Sequence, residues 1–181
     1  MESLVPEYPG CSLRCKSDGS VCGYYGDCKF KSVFNNLVRR RTKTANERSN
    51  RFNIEPLSKE NVEELFQRAA NNKLICPYCG EVMSFTSPRD NYRMAISIDH
   101  TISLANGGTN TPNNIKAICT RCNMVKGTMK EKHFVFIQKA LIEKWGREEM
   151  LSWLEDAYSH AQAYKIQRAG IEKQTTQTIN T

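Results

Sequence analysis

The 181-residue sequence predicts an α+β fold, with a small core, flanking helices and a Cys-rich, loop-rich N-terminal region. Extended pieces at residues 91–98 and 115–119 lie among stretches of helical periodicity. Two Cys-x-x-Cys pairs flank these pieces and supply the four sulfur ligands of a tetrahedral zinc site. A closed site of this kind is structural and ties the core together. Its predicted ligands are Cys76, Cys79, Cys119 and Cys122.

The N-terminal segment, residues 1–30, is predicted to bind a second zinc ion. It contains four cysteines and little apolar periodicity, and so short a segment needs a cross-link or a metal to fold. Because its spacing lacks a standard knuckle, free thiols and a mixed arrangement stay open as alternatives. The four cysteines are Cys11, Cys15, Cys22 and Cys28.

Residues 31–56 are predicted to form a basic arm or linker that begins as a short helix. Residues 31–51 contain seven Lys or Arg and one Glu, a net charge of +6, whereas the whole chain carries +7. This charge favours a polyanion such as nucleic acid as the partner, and a solvated basic loop is the alternative. The expected phosphate contacts of the arm are Arg39, Arg40, Arg41 and Lys43.

Residues 57–73 are predicted to form a helix that leads into the core. Ser58 is a preferred N-cap residue, and Leu57 and Val62 have the spacing of a hydrophobic staple. One face of this helix is apolar at helical spacing. The residues of that face are Val62, Leu65, Phe66 and Ala69.

Two further helices are predicted after the core. Thr128 and Glu131 have the spacing of a capping box at the start of the first one. The polar end of the chain is expected to fray. The predicted helices cover residues 128–145 and 147–168, within a C-terminal region of 131–169 that a flexible tail, 170–181, follows.

The predicted core spans residues 74–130. Its two knuckles stand 39 residues apart, a longer gap than a simple zinc ribbon needs, so functional residues are expected between them. Asp99 and His100 end the apolar run of the first extended piece. This pair either caps a strand or forms half of a catalytic site.

Read from the first knuckle, the sequence combines CPYCG, SIDHT, a Gly-Gly loop, NNIKAIC and TRCNMVKG. This combination over residues 74–130 resembles the HNH nuclease family, whose unit is a ββα-metal (His-Me finger) fold. The resemblance implies a metal-dependent DNA endonuclease that hydrolyses phosphodiester bonds. The products it implies are a 5′-phosphate and a 3′-hydroxyl.

The resemblance also implies roles for individual residues. His100 is the implied general base for the attacking water, and the ordinary histidine pKa of about 6.5 suits that role. Asp99 and Asn123 are the implied ligands of one catalytic divalent cation, Mg²⁺ or Mn²⁺. Asn114 is implied to pin the loop between the strands, and Asn113 stays open as the alternative.

DNA is the implied partner. Arg93, Arg121 and Lys126 are further expected phosphate contacts, each against the alternative of a solvated charge. Because one such site cuts one strand at a time, double-strand cleavage implies a homodimer or two binding events. No run approaches the roughly 18 apolar residues of a membrane helix, so no membrane partner is expected. The expected location is the cytoplasm of a bacterial or phage-infected cell, in a restriction-type or a homing or phage-type role.

Two other functions stay open from the sequence. A non-catalytic, zinc-stabilised DNA-binding protein could keep a degenerate nuclease frame, although Asp99, His100 and Asn123 are all present. An RNA-acting nuclease is the second alternative. The sequence lacks the aromatic-rich strand signature of common RNA-binding modules, which disfavours it.

Overall fold

The computed structural model describes residues 30–85 and 89–179 of the chain. Within them, α-helices surround one two-stranded antiparallel sheet, which confirms the predicted α+β class. The N-terminal cysteines lie outside the described residues, so the second zinc site stays a prediction. The elements are α1 (Phe30–Arg51), α2 (Lys59–Asn71), β1 (Ile96–His100), β2 (Ile115–Cys119), α3 (Thr120–Lys126), α4 (Glu131–Trp145) and α5 (Arg147–Ile179), with short 3-10 helices at Arg89–Met94 and Leu104–Asn106.

The basic segment is a 22-residue helix, α1, that packs on the core, so over residues 31–51 of the predicted arm or linker (31–56) the chain is a long helix. Its apolar side chains recur at helical spacing and are buried in the core. Because burial of that face holds the helix down, the excess of positive charge does not detach it. The buried apolar residues of α1 are Phe34, Leu37, Val38 and Ala45.

The chain turns from α1 into α2 through a clasp between Asn46 and Leu57. The Leu57 backbone nitrogen donates to the Asn46 side-chain oxygen at 2.7 Å, and the Asn46 amide donates back to the Leu57 carbonyl at 3.0 Å. Ser58 then caps α2 as predicted, because its side chain accepts from the Asn61 backbone nitrogen at 3.1 Å. The predicted Ser58 cap and the predicted burial of Val62 are both confirmed.

The sheet pairs β1 and β2 antiparallel, with Asp99 opposite Lys116 and His100 opposite Ile115. β2 has the predicted bounds, but β1 begins five residues later than predicted and includes the Asp-His pair. The residues before it form the 3-10 helix Arg89–Met94 instead. All five residues of β1 are buried, so its pattern does not alternate between core and solvent.

The C-terminal helices pack against the core, and the predicted capping box at Thr128 is wrong. α4 begins at Glu131 with Lys130 at the cap, and no side-chain hydrogen bond caps it. Glu131 instead turns its carboxylate to Tyr78 and Lys116, so it cannot reach back to the helix cap. α5 continues to Ile179, well past the predicted end at residue 168.

One apolar core joins α1, α2, the sheet and the C-terminal helices. Phe66 and Phe134 are fully buried in it, and Phe34 meets Phe85 edge-on at a ring separation of 5.5 Å. Among the described residues, no helix has both the length and the apolar character that crossing a bilayer requires.

Candidate active site and metal centre

The four core cysteines form one buried cluster. Their Sγ atoms lie within 4.8 Å of one another, and those of Cys79 and Cys119 are 3.8 Å apart. Sulfur atoms that share a tetrahedral zinc ion lie at about this separation, since each Zn–S bond is about 2.3 Å. The cluster fits a structural zinc ion, held by Cys76, Cys79, Cys119 and Cys122.

Local backbone geometry explains how the two knuckles meet. Gly80 has a φ of +70°, which lets the chain turn back directly after Cys79. Cys119 ends β2 and caps α3, because its Sγ accepts from the Cys122 backbone nitrogen at 3.4 Å. The strand and the helix therefore deliver two ligands from one junction.

Arg121 lies against this cluster, and its prediction as a DNA contact is wrong. It is 5% exposed, and its guanidinium donates to Glu155 of α5 at 3.1 Å. Burial lowers the pKa of Arg121, but hydrogen bonds to Cys79 and Glu155 outweigh burial and raise it overall. A buried guanidinium beside thiolates balances their charge and cannot reach a DNA backbone.

A cavity of about 150 Å³ opens beside the sheet and α3, and three of the four residues predicted for the catalytic site line it together, whereas Asn114 does not. Asp99 and His100 reach it from the end of β1, and Asn123 reaches it from α3. Its remaining walls come from β1 itself, the loop after β1, the residues that follow α3, and the C-terminal end of α1 with the residue after it. Those residues are Arg48, Phe52, Ile98, Ser103, Leu104, Ala105, Gly127 and Thr128.

Asp99 is 3% exposed and is bound on both oxygens. Its Oδ1 accepts from Lys126 Nζ at 2.9 Å, and its Oδ2 accepts from the Tyr78 hydroxyl at 3.2 Å. Burial raises the pKa of Asp99, and the hydrogen bond from Lys126 opposes that shift. The Asp99 carboxylate at the cavity is therefore already paired with the positive charge of Lys126.

Lys126 makes the balancing contact, so its prediction as a DNA contact is also wrong. Its side chain is fully buried, and Nζ donates both to Asp99 and to the His100 carbonyl at 2.7 Å. A buried ammonium is stable only with such partners. Lys126 thus fixes the backbone and the carboxylate of the Asp-His pair together.

His100 is 6% exposed and points one ring nitrogen at Asn110. Nε2 lies 2.8 Å from the Asn110 side-chain oxygen. The Asn110 amide nitrogen is committed elsewhere, since it donates to the Glu55 carbonyl at 2.6 Å and to Ser49 Oγ at 2.7 Å. Nε2 must therefore carry the proton of the neutral ring, which leaves the lone pair on Nδ1.

Burial also lowers the pKa of His100 below its ordinary value of 6.5, against the hydrogen bond to Asn110. The nearby positive charges of Arg48 and Lys126 act in the same direction as burial. His100 is consequently neutral at physiological pH, the state in which an imidazole can accept a proton.

Asn114 is buried and holds the loop after β1. Its side chain accepts from the Ile102 backbone nitrogen at 2.8 Å and donates to the carbonyls of Ile102 and Thr109 at 3.0 and 2.8 Å. Gly108 lies beside it, where a Cβ would come within 1.8 Å of the Ile102 carbonyl oxygen. Asn113 is exposed, so Asn114 occupies the place that the loop-pinning prediction requires.

Asn123 turns its amide nitrogen inward, toward Ser97 Oγ at 3.1 Å and the Ile98 carbonyl at 2.9 Å. Its amide oxygen is then the atom left for a ligand. Carboxylate and amide oxygens are ligand types that Mg²⁺ accepts, and each Asp99 oxygen keeps a lone pair besides its hydrogen bond. Asp99 and Asn123 therefore fit a weakly bound cation that water and phosphate oxygens complete.

The remaining predicted DNA contacts lie on the surface of the fold. Arg39, Arg40 and Lys43 project from the exposed face of α1. Arg41 is partly buried, with its guanidinium 5.9 Å from the Tyr92 ring centre. Arg93 is exposed and pairs with Glu155 at 2.7 Å.

Three residues of the site have no counterpart in the predicted set. Tyr78 stands inside the first knuckle and links Asp99 to Glu131 of α4, at 3.2 and 3.1 Å. Asn110 and Arg48 contact or face the catalytic residues from a loop and from α1. Asn110 lies in a loop with several Asn and Gly residues, and Arg48 lies in a basic run. Composition alone does not show which member of such a run faces the site.

Comparison with known families supports the class that the zinc cluster and the cavity define. The HNH endonuclease family model matches residues 71–128, about a third of the chain. The chain thus contains an HNH domain, and the resemblance to that family is confirmed. The match indicates a nuclease of the HNH type. Searches among curated proteins and among solved structures gave no match.

Proposed function

We propose that the protein is a metal-dependent DNA endonuclease that hydrolyses phosphodiester bonds in the cavity beside α3. The observation that carries the proposal is the convergence of Asp99, His100 and Asn123 on one cavity. These residues are 24 positions apart at most in sequence and reach the cavity from two different elements. A base and two oxygen ligands around one space form the minimum set for metal-assisted hydrolysis.

His100 is the proposed general base. Nδ1 carries no proton in this tautomer, so it can accept a proton from a water molecule that attacks phosphorus. The Asn110 oxygen holds the ring and stabilises the imidazolium that forms, because it accepts from Nε2 in both states. General base catalysis of this kind contributes about 10² to 10⁴ to the rate.

Asp99 and Asn123 are the proposed ligands of a divalent cation, Mg²⁺ or Mn²⁺. When bound, the cation supplies charge neutralisation at the phosphate and at the leaving oxygen. Lys126 and Tyr78 hold the Asp99 carboxylate in one orientation, at 2.9 and 3.2 Å. Asn114 keeps the loop, and with it Asn110, at the right distance from His100.

Several further features rest on sequence alone. A second zinc in the N-terminal segment, a homodimer for double-strand cleavage and a cytoplasmic role in a bacterial or phage-infected cell are parts of the proposal. DNA grip is assigned to the exposed cations of α1, Arg39, Arg40 and Lys43, because phosphate contacts need accessible charge.

Supercoiled plasmid tests the proposal directly. Purified protein with Mg²⁺ or Mn²⁺ should nick or linearise the plasmid, and EDTA should stop the reaction. Matched labelled duplex, single-stranded DNA and RNA of one sequence then identify the substrate. Cleavage of RNA alone would identify an RNA-acting nuclease instead. Binding of many plasmid and genomic substrates without cleavage would identify a non-catalytic DNA-binding protein.

A further inference from the structure

The C-terminal turn of α1 forms one wall of the active-site cavity, although it lies outside the matched HNH domain. Ser49 is fully buried, and its hydroxyl is 2.7 Å from the Asn110 amide nitrogen that holds His100 in place. The clasp between Asn46 and Leu57 fixes the same turn from the other side. Residue 48 therefore has a fixed place beside the catalytic residues.

The charges around the cavity favour an anion. The charge of Asp99 is balanced by Lys126 at 2.9 Å, and the Asn123 amide adds none. Arg48 lines the same cavity, and among the described residues no carboxylate forms an ion pair with it. Within the part of the chain that the structure describes, its side chain makes a single long hydrogen bond, from Nε to the Thr44 carbonyl of its own helix at 3.4 Å. The guanidinium is thus left with donors for a ligand.

The cavity also has an apolar side. Phe52, Leu104 and Ala105 line it next to the polar residues. Leu104 is buried, whereas Phe52, Ala105 and Arg48 are exposed, so the guanidinium can meet an anion that arrives from solvent. A phosphodiester has one negative charge on two non-bridging oxygens, which the planar fork of arginine can bind at two points.

We propose that Arg48 binds the non-bridging oxygens of the scissile phosphodiester and so places phosphorus between His100 and the cation ligands. This assignment rests on the proposed nuclease function and adds a substrate-binding residue from outside the HNH domain. It makes phosphodiester binding possible without a cation, since Arg48 supplies the charge. The exposed cations of α1 act on flanking phosphates, whereas Arg48 acts on the reacting one.

Dithymidine monophosphate, which contains a single phosphodiester, is the probe for this assignment. The chain has three histidines, of which His100 alone lines the cavity, so its ring signals in an NMR spectrum report binding there. The signals are assigned by their loss in His100→Ala. The titration is performed in metal-depleted buffer without added Mg²⁺ or Mn²⁺ and without a chelator, because a chelator would also remove the core zinc, and circular dichroism and zinc content confirm the fold of each variant.

The expected result is a saturable shift of the His100 signals in the wild type. Arg48→Ala should weaken the affinity about tenfold or more, the usual loss for a charge-assisted hydrogen bond. Arg48→Lys should fall between the two, because it keeps the charge and loses the fork. Arg51→Ala, one turn along the helix and outside the cavity lining, should bind as the wild type does.

Equal affinity of wild type and Arg48→Ala would overturn the assignment, as would a wild type without a saturable shift. Plasmid cleavage by the wild type decides the nuclease function separately. If the wild type cleaves plasmid and Arg48→Ala binds the probe normally, only the assignment of Arg48 fails. If the wild type binds the probe, Arg48→Ala does not, and the wild type cleaves no plasmid, the anion site stands and the nuclease function fails.

Discussion

The zinc-tied core and helix α1 contribute to one cavity, but they are held in place by different forces. The core is small and relies on a buried four-cysteine cluster and on the buried pair of Asp99 and Lys126. α1 relies on a buried apolar face and exposes most of its cations. Charge density therefore says little about whether a segment is detached from a fold, because the spacing of its apolar residues decides that.

Sequence patterns predicted the core closely. The knuckles, the Asp-His pair, β2 and the Ser58 cap have local signatures, since spacing or a single residue type dictates each. Such features depend on neighbours in sequence. They survive folding because tertiary contacts reinforce them.

Other features could not be predicted, because they depend on partners distant in sequence. Lys126 and Arg121 look like surface cations until Asp99 and Glu155 fold against them. Asn110 gains its role from Ser49, 61 residues earlier in the chain. The burial of α1 differs from these cases, because the helical spacing of its apolar residues is present in the sequence and outweighs the basic composition.

The core should depend on zinc, whereas α1 is held by its apolar face. Cys119→Ser removes a ligand and the α3 cap, and it should release the core zinc and abolish cooperative unfolding of the core. Structural zinc contributes about 10 kcal/mol or more, which is comparable with the whole stability of a domain. Zinc content and a thermal melt measure this.

Chelator-treated wild type is the control for that variant. It should lose the same transition and regain it when zinc is added back, whereas Cys119→Ser should not. A variant that melts at the wild-type temperature without the core zinc would show that the cluster is dispensable.

Lys126→Met compares a buried cation of the core with an exposed one of α1. It leaves the Asp99 carboxylate buried without a counter-charge and should cost about 3–5 kcal/mol in urea unfolding. Arg40→Met, on the exposed face of α1, should stay within about 0.5 kcal/mol of the wild type. The double variant with Asp99→Asn should recover part of the loss, and a stable Lys126→Met would refute the buried pair.

Leu37→Ala tests whether α1 belongs to the core. Leu37 is 8% exposed, so truncation should lower the free energy of unfolding by about 2–3 kcal/mol, at the lower end for a buried leucine. A detached arm would show no change. Urea denaturation measures the loss, with Thr44→Ala on the exposed face of the same helix as the matched control.

The pH dependence of cleavage tests the environment that both regions create for His100. Because burial lowers its pKa below 6.5, the base stays neutral down to that lower pKa. The rate should be flat above pH 6.5 and fall only as pH drops through the lowered pKa. A cleavage rate that still rises with pH above 6.5 would mean that His100 is not buried or is not the base.

The most direct test of the account is the plasmid-nicking rate of His100→Ala, measured with Mg²⁺ beside the wild type and His133→Ala. His133 lies exposed on α4, so it controls for the loss of any histidine. His100→Ala should nick about 10²- to 10⁴-fold more slowly, while its zinc content and melting temperature stay near those of the wild type. Nicking by His100→Ala at the wild-type rate, with the core zinc in place, would rule out His100 as the general base.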